Sequence, residues 1–276
     1  MASILLQGGT LLLHDENDHV IPIISDLLIE GNKIVKIESN IKVAGDVRLI
    51  DCHGKIVSPG FIDTHRHMWQ TQLKGRHANE TLFEYLPTGN MAASLYSPQD
   101  VFWGQLGAAL ESLDAGTTTV VDHAHMNYSP EHNVNALSAL AASGIRSIFG
   151  YCAHTRVKAW SPELQIEPDT IPEWFLKQLE ELATKQPYGN GRVEIGLAWD
   201  NWYLPKEVVQ KLFKDARSWG IKLVTCHFVK GPTLSIYPVL SEIDGRLLLC
   251  RSAFGLGFAR SRYLTFSFRE SRQRRY

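Results

Sequence analysis

The stretch Ile56-Val57-Ser58-Pro59-Gly60-Phe61-Ile62-Asp63-Thr64-His65-Arg66-His67 decides how this chain is read. An apolar run reaches Phe61-Ile62 and passes directly into a His-x-His pair. Side chains alternate along a strand, so the spacing predicts His65 and His67 on one face, about 7 Å apart along the chain. Two imidazoles so placed can hold a metal ion from two of its corners. The pair alone is a weak signal. With 11 histidines in 276 residues, chance gives about 0.4 such pairs, and a second copy stands at His123-Ala124-His125.

The rest of the chain bounds the possibilities. At 276 residues it can bury a sizeable core as one large domain or two smaller ones. A hydrophobic content of 44%, a charged content of 21% and a net charge of −1 are those of a soluble globular protein. They argue against a nucleic-acid or membrane partner. Cys52, Cys152, Cys226 and Cys250 are widely spaced and form no C-x-x-C, which predicts a reduced, cytoplasmic protein. Near the N-terminus, Gly8-Gly9 separates two leucine-rich runs with no basic flank, which is strand patterning and not a leader peptide.

Up to Val57 the sequence predicts short strands and tight turns, with a hairpin at Gly31-Asn32. Beyond His67 the rhythm changes. Ser97-Pro98 opens a helix that Gly116 ends, and Ser129-Pro130 opens another that Gly144 ends. Further helices are predicted over about 172–185 and 205–219. Between them run apolar strands at 117–122, 146–151, 193–198 and 222–227. With the strand at Phe61, five βα units follow one another, as in strands one to five of a (β/α)8 barrel. Functional groups of such a barrel gather at the C-terminal ends of its strands. There the sequence places His65, His67, Asp122, His123, His125, His154, Asp200 and His227. His65, His67 and His227 suit a metal best, because the first two chelate and the third ends a strand across the barrel mouth. Three imidazoles with one open corner lower the pKa of bound water to about 7 and supply hydroxide at neutral pH. His123, His125 and His154 are expected as hydrogen-bonded core or rim residues. Cys226 is expected to face a helix, since adjacent strand residues point opposite ways.

The whole run from Asp51 to His67 fits D-x-x-G-x-x-V-x-P-G-x-I-D-x-H-x-H at every position. In this it resembles the entry to the barrel in the amidohydrolase superfamily, the urease, cytosine deaminase and triazine hydrolase type. The resemblance implies a metal-dependent hydrolase of C–N or related bonds in a small, cyclic substrate, with zinc the first choice of metal and iron the second. It supports His65, His67 and His227 as ligands. It also implies a small β-sandwich, of which residues 1–57 supply the first half, joined to an incomplete TIM-type barrel over 58–244. Binuclear members carry a Lys at the end of strand four, where this chain has Leu197-Ala198-Trp199-Asp200, so the likeness is to the mononuclear branch. Gln72 lies where some of that branch orient the substrate through a Gln, and Trp69 is available to stack on a planar ring.

The chain departs from the family pattern in three places. Where deaminases carry a Glu three residues after the strand-five His, this sequence has Lys230. No His follows His227 to serve after strand six, and the later carboxylates are only Glu242, Asp244 and Glu270, so no strand-eight Asp is identified. The resemblance therefore covers about residues 3–244. From Gly245 the caps and strand runs stop, and eight arginines crowd the segment to Tyr276. That basic tail is expected not to be the native continuation of the fold. A small-molecule substrate is expected, association with further copies is left open, and the rival reading is a truncated, inactive relative that at most binds metal.

Overall fold

The computed structural model describes residues 3–227. What the sequence predicts for Lys230, for a sixth strand at 247–250 and for the basic tail from Gly245 lies outside the described residues. Two compact units divide at Gly60 and Phe61.

The first unit is a five-stranded sheet of β1 (Ser3–His14), β2 (Val20–Glu30), β3 (Lys33–Glu38), β4 (Val47–Asp51) and β5 (Ile56–Val57). β1 runs antiparallel to β2, which runs antiparallel to β3, while β4 and β5 pair with β1 in parallel. The hairpin falls where predicted, with Glu30 opposite Lys33 and Gly31 at φ 61°. Ile34 and Ile37 break strict alternation for a physical reason. The β2–β3 register slips between Leu28 and Ile29, so Val35 is an extra, bulged residue. A second slip, in β1 between Leu6 and Gly9, is held by the buried carboxylate of Asp26. It accepts the Gly8 N–H at 2.8 Å and the Ile41 N–H at 3.0 Å.

The second unit is α/β. Its strands are β6 (Phe61–Arg66), β7 (Thr117–Ala124), β8 (Arg146–Cys152), the short ribbon of β9 (Val157–Ala159) and β10 (Gln165–Ile166), β11 (Val193–Ala198) and β12 (Val224–Thr225). β12, β11, β8, β7 and β6 lie in that order as one parallel sheet, curled into a half-barrel. Between strands stand α1 (Leu82–Tyr85), α2 (Pro98–Asp114), α3 (Pro130–Ser143), α4 (Glu173–Lys185) and α5 (Lys206–Ser218). α2 begins with a capping box between Ser97 and Asp100, and α3 ends on Gly144 at φ 81°, both as the sequence predicts. Phe149, Tyr151, Ile195, Leu197 and Trp199 pack outward among Phe175, Leu179, Leu212 and Phe213 of the helices.

The inner face is built from small residues. His123 pairs with Gly150, and Gly150 with Gly196, in one row across three strands. A Cβ at Gly150 would lie 2.7 Å from the Asp122 carbonyl oxygen, and one at Gly196 would lie 2.8 Å from Ile148 Cγ2.

Two expectations need correction. The fifth strand is paired only at Val224–Thr225, not over 222–227. Leu223 and Thr225 accept from the N–H groups of Leu197 and Trp199 at 2.9 Å each, and β11 then ends, leaving Cys226 and His227 beyond the ladder. β6 does not alternate smoothly either. Its register against β7 slips between Asp63 and Arg66, and His67 lies past the strand end. Residues 68–95, for which the sequence predicts no element, form a run of short turns: a 3-10 helix at Met68–Leu73, α1, a π turn at Leu86–Asn90 and a second 3-10 helix at Met91–Leu95. No helix among the described residues is long and apolar enough to cross a membrane.

Candidate metal centre

The strand ends of the half-barrel bring His65, His67 and His227 together. The Nε2 atoms of His65 and His67 each lie 3.0 Å from His227 Nε2. The β6 bulge does not separate the pair; their rings meet edge to face with centroids 5.0 Å apart. His123, which the sequence leaves as a rim residue, is drawn into the same group. Its ring is 4.4 Å from that of His227, and ligand atoms of His65, His123 and His227 lie within 4.8 Å of one another.

The hydrogen bonds behind these rings fix which nitrogens are bare. His67 Nδ1 lies 2.7 Å from the His123 carbonyl, which can only accept, so Nδ1 carries the hydrogen and Nε2 is a lone pair. His227 Nδ1 lies 2.9 Å from Asp200 Oδ2. Burial works to raise the Asp200 carboxyl, but His123 and His227 outweigh it and hold the group well below the usual carboxylate range. A carboxylate oxygen accepts, so His227 Nδ1 donates and its Nε2 is the nitrogen turned inward. Burial, then the neighbouring His227 and His123, lowers His65 to about 4, and burial with His123 holds His67 well below its ordinary value. These two imidazoles are neutral at neutral pH, the form that ligates a metal.

The lone pairs of His67 and His227 aimed at each other across 3.0 Å repel unless something positive lies between them. A proton on His227 serves one of the two contacts well and leaves the other. A single divalent cation serves all three nitrogens, and an all-imidazole donor set suits zinc and other borderline metals. The residues present therefore fit the metal that the sequence resemblance implies.

The remaining strand-end residues divide. Asp200 joins the cluster, accepting from both His123 Nε2 and His227 Nδ1 at 2.9 Å. His125 is buried with its ring 4.4 Å from that of His67, and His154 lies 5.4 Å beyond His125. Cys226 is in the core, as alternation predicts. Trp69 is fully buried, its ring 5.5 Å from Tyr96 and 5.3 Å from His125. The Gln72 side-chain amide donates to the Asp100 carbonyl at 2.7 Å, which ties it to the start of α2. Nearby, Gln70, Leu73, Lys74, His77 and Tyr85 line a cavity of about 320 Å³ within the segment that carried no sequence prediction.

Asp122 points the other way, into the helix layer, where it accepts from the Met68 N–H at 3.1 Å and from the Gln105 amide. Burial raises its carboxyl from 3.8 to about 6, against the pull of those two donors. The folded chain thus keeps a proton that the unfolded chain releases. This contribution is fully present below about pH 4 and is lost as pH rises through about 6, a loss of about 3 kcal/mol for a shift of this size. Asp122→Asn lacks that titration, so between pH 4.5 and pH 6.5 the wild type should lose about 2 kcal/mol of unfolding free energy in urea relative to Asp122→Asn, on top of the pH dependence the two share. Equal pH dependence in the two would refute it.

Residues 56–243 match the amidohydrolase family model, and the chain belongs to that family. Among curated proteins it is similar to the 5-methylthioadenosine/S-adenosylhomocysteine deaminase of Thermococcus kodakarensis, 30% identical over 82% of this chain and 49% of that protein. It is also similar to the 5'-deoxyadenosine deaminase of Methanocaldococcus jannaschii, 36% identical over 46% of this chain and 29% of that protein. The chain thus spans half or less of these relatives' length. Among solved structures, the fold matches atrazine chlorohydrolase from Arthrobacter aurescens TC1 complexed with zinc, at a TM-score of 0.66 and 21% identity over 82% of this chain and 53% of that one. Guanine deaminase from C. acetobutylicum with bound guanine matches at 0.65 and 18%, over 84% and 54%.

Proposed function

We propose that this chain carries the metal-binding portion of a hydrolase that cleaves a C–N or related bond at the carbon of a small, planar nitrogen heterocycle. The observation that carries the reading is the convergence of three imidazole Nε2 atoms, with those of His67 and His227 turned inward by the hydrogen bonds behind them. In this reading His65, His67 and His227 hold one divalent ion, zinc before iron. Such an ion activates water and polarises the bond under attack. Burial keeps His65 and His67 in the neutral form that ligates. The relatives named for deaminating adenine nucleosides and guanine, and the neighbour named for a chlorinated triazine, support a flat heterocycle as the substrate class. Lys230, where the deaminase pattern has Glu, keeps the reading at C–N hydrolysis in general. The N-terminal sheet belongs, in the same reading, to a small β-sandwich.

The test is to load the purified chain with zinc and offer 5'-methylthioadenosine, guanine and an amino-substituted triazine. Ammonia release and the ultraviolet change of the ring would be followed. Turnover should appear with at least one of them, vanish with a chelator and return with zinc. Turnover indifferent to the chelator, or none from any of the three, would defeat the proposal.

A further inference from the structure

Four imidazoles crowd one end of the sheet, yet a tetrahedral ion with one open position needs only three of them. On distances alone His123 competes with His67, because its ligand atom groups with those of His65 and His227. Asp200 resolves the competition. One of its oxygens accepts from His227 Nδ1 and from His123 Nε2, both at 2.9 Å, and the other accepts the His227 backbone N–H at 2.8 Å. The bond to His123 engages its Nε2, which leaves that nitrogen no lone pair for a metal. The bonds to His227 do the opposite, tying its rear nitrogen and its main chain so that Nε2 faces His65 and His67.

We infer that Asp200 is a positioning residue that sorts the cluster, enforcing a His65–His67–His227 site and withdrawing His123 from it. The reasons are three. One carboxylate oxygen lies 2.9 Å from both His123 Nε2 and His227 Nδ1, and a carboxylate oxygen accepts, so both ring nitrogens facing it are N–H donors. His123 is fully buried and its other nitrogen, Nδ1, has no hydrogen-bond partner among the described residues, so its ring is oriented at Nε2, by Asp200 at 2.9 Å and more weakly by Cys152 Sγ at 3.7 Å. His227 stands beyond the paired part of its strand, where no ladder holds it, and the two contacts from Asp200 replace that ladder. A carboxylate behind a ligating imidazole fixes its tautomer and raises its basicity, and loss of such a partner typically costs 10- to 100-fold in metal affinity.

This inference rests on the metal-dependent reading above, and its test separates the two. Zinc affinity of the full chain would be measured by competition with a chromophoric chelator, and the cobalt(II)-loaded chain would be examined by visible absorption. The variants are Asp200→Asn, Asp200→Glu, His123→Gln and His227→Ala, each checked for folding by circular dichroism. Asp200→Asn should weaken zinc binding about 10- to 100-fold and alter the cobalt spectrum, with Asp200→Glu recovering part of the loss. His123→Gln should keep wild-type affinity within about threefold and the wild-type spectrum, because His123 is not a ligand. Wild-type affinity in Asp200→Asn, or a loss in His123→Gln as deep as in His227→Ala, would overturn the role given to Asp200 while leaving the metal site standing. Should Asp200→Asn fail to fold, the His123→Gln arm decides alone. Failure of the wild type to bind zinc would remove the metal reading, and this inference with it.

Discussion

Purified chain should carry close to one divalent ion, and His227→Ala or His65→Ala should carry almost none after dialysis. The expectation follows from how few ligands there are to lose. With three imidazoles converging, removing one leaves a two-point site, and metal affinity depends steeply on ligand number. Removing His227 is the more severe change, since its Nε2 is the atom that both other nitrogens approach. Without it His65 and His67 retain each other, edge to face, beside a His123 whose Nε2 is held by Asp200. Metal analysis by mass spectrometry is sufficient. Equal metal in the wild type and in His65→Ala would show that the ion, if present, sits elsewhere. Acid should release the ion as well, because protons compete for the same lone pairs.

The second large effect is on stability and lies one residue from the site. Trp199 is fully buried at the end of β11, its ring near Phe213 of α5, and its backbone N–H donates to the Thr225 carbonyl at 2.9 Å. Trp199→Ala should destabilise the chain by about 3–5 kcal/mol, from lost burial and the cavity left behind. That is a large share of the roughly 5–15 kcal/mol by which a protein is stable. The same substitution loosens the floor beneath Asp200, so zinc affinity should fall with it. An unfolding free energy in urea that changes by less than about 1 kcal/mol would mean that the outer layer closes over the gap, well short of the cost usual for a buried aromatic.

What the sequence made legible was local. Ser97-Pro98 and Gly144 announce helix ends because capping and positive φ are decided within a few residues. His65, His67 and His227 were readable because a strand followed by a polar terminus is a local pattern, repeated five times. The use made of Asp200 was not legible. Its partners lie on other strands, and nothing near Trp199-Asp200-Asn201 states that two imidazoles will arrive there. For the same reason the sequence marks His123 only as a core or rim residue. The bulge at His65 was invisible because it arises from a mismatch with β7, not from either strand alone. Residues 68–95 escaped because short 3-10 and π turns have no sustained hydrophobic period to detect.

The row of His123, Gly150 and Gly196 sets limits on how this scaffold can change over generations. Even one methyl group at position 150 or 196 would collide with the neighbouring strand's carbonyl or with Ile148, so neither position can drift toward larger residues. The inner wall is in that sense frozen, and the volume it preserves is what admits bulky imidazoles above it. New specificity in such a lineage must come from the segments that follow the strands, such as the run of short turns after His67. Those segments can be exchanged without disturbing the wall. A selection experiment that randomises the two glycines and the residues of 70–90 together should return glycine at the first two and variety along the rest.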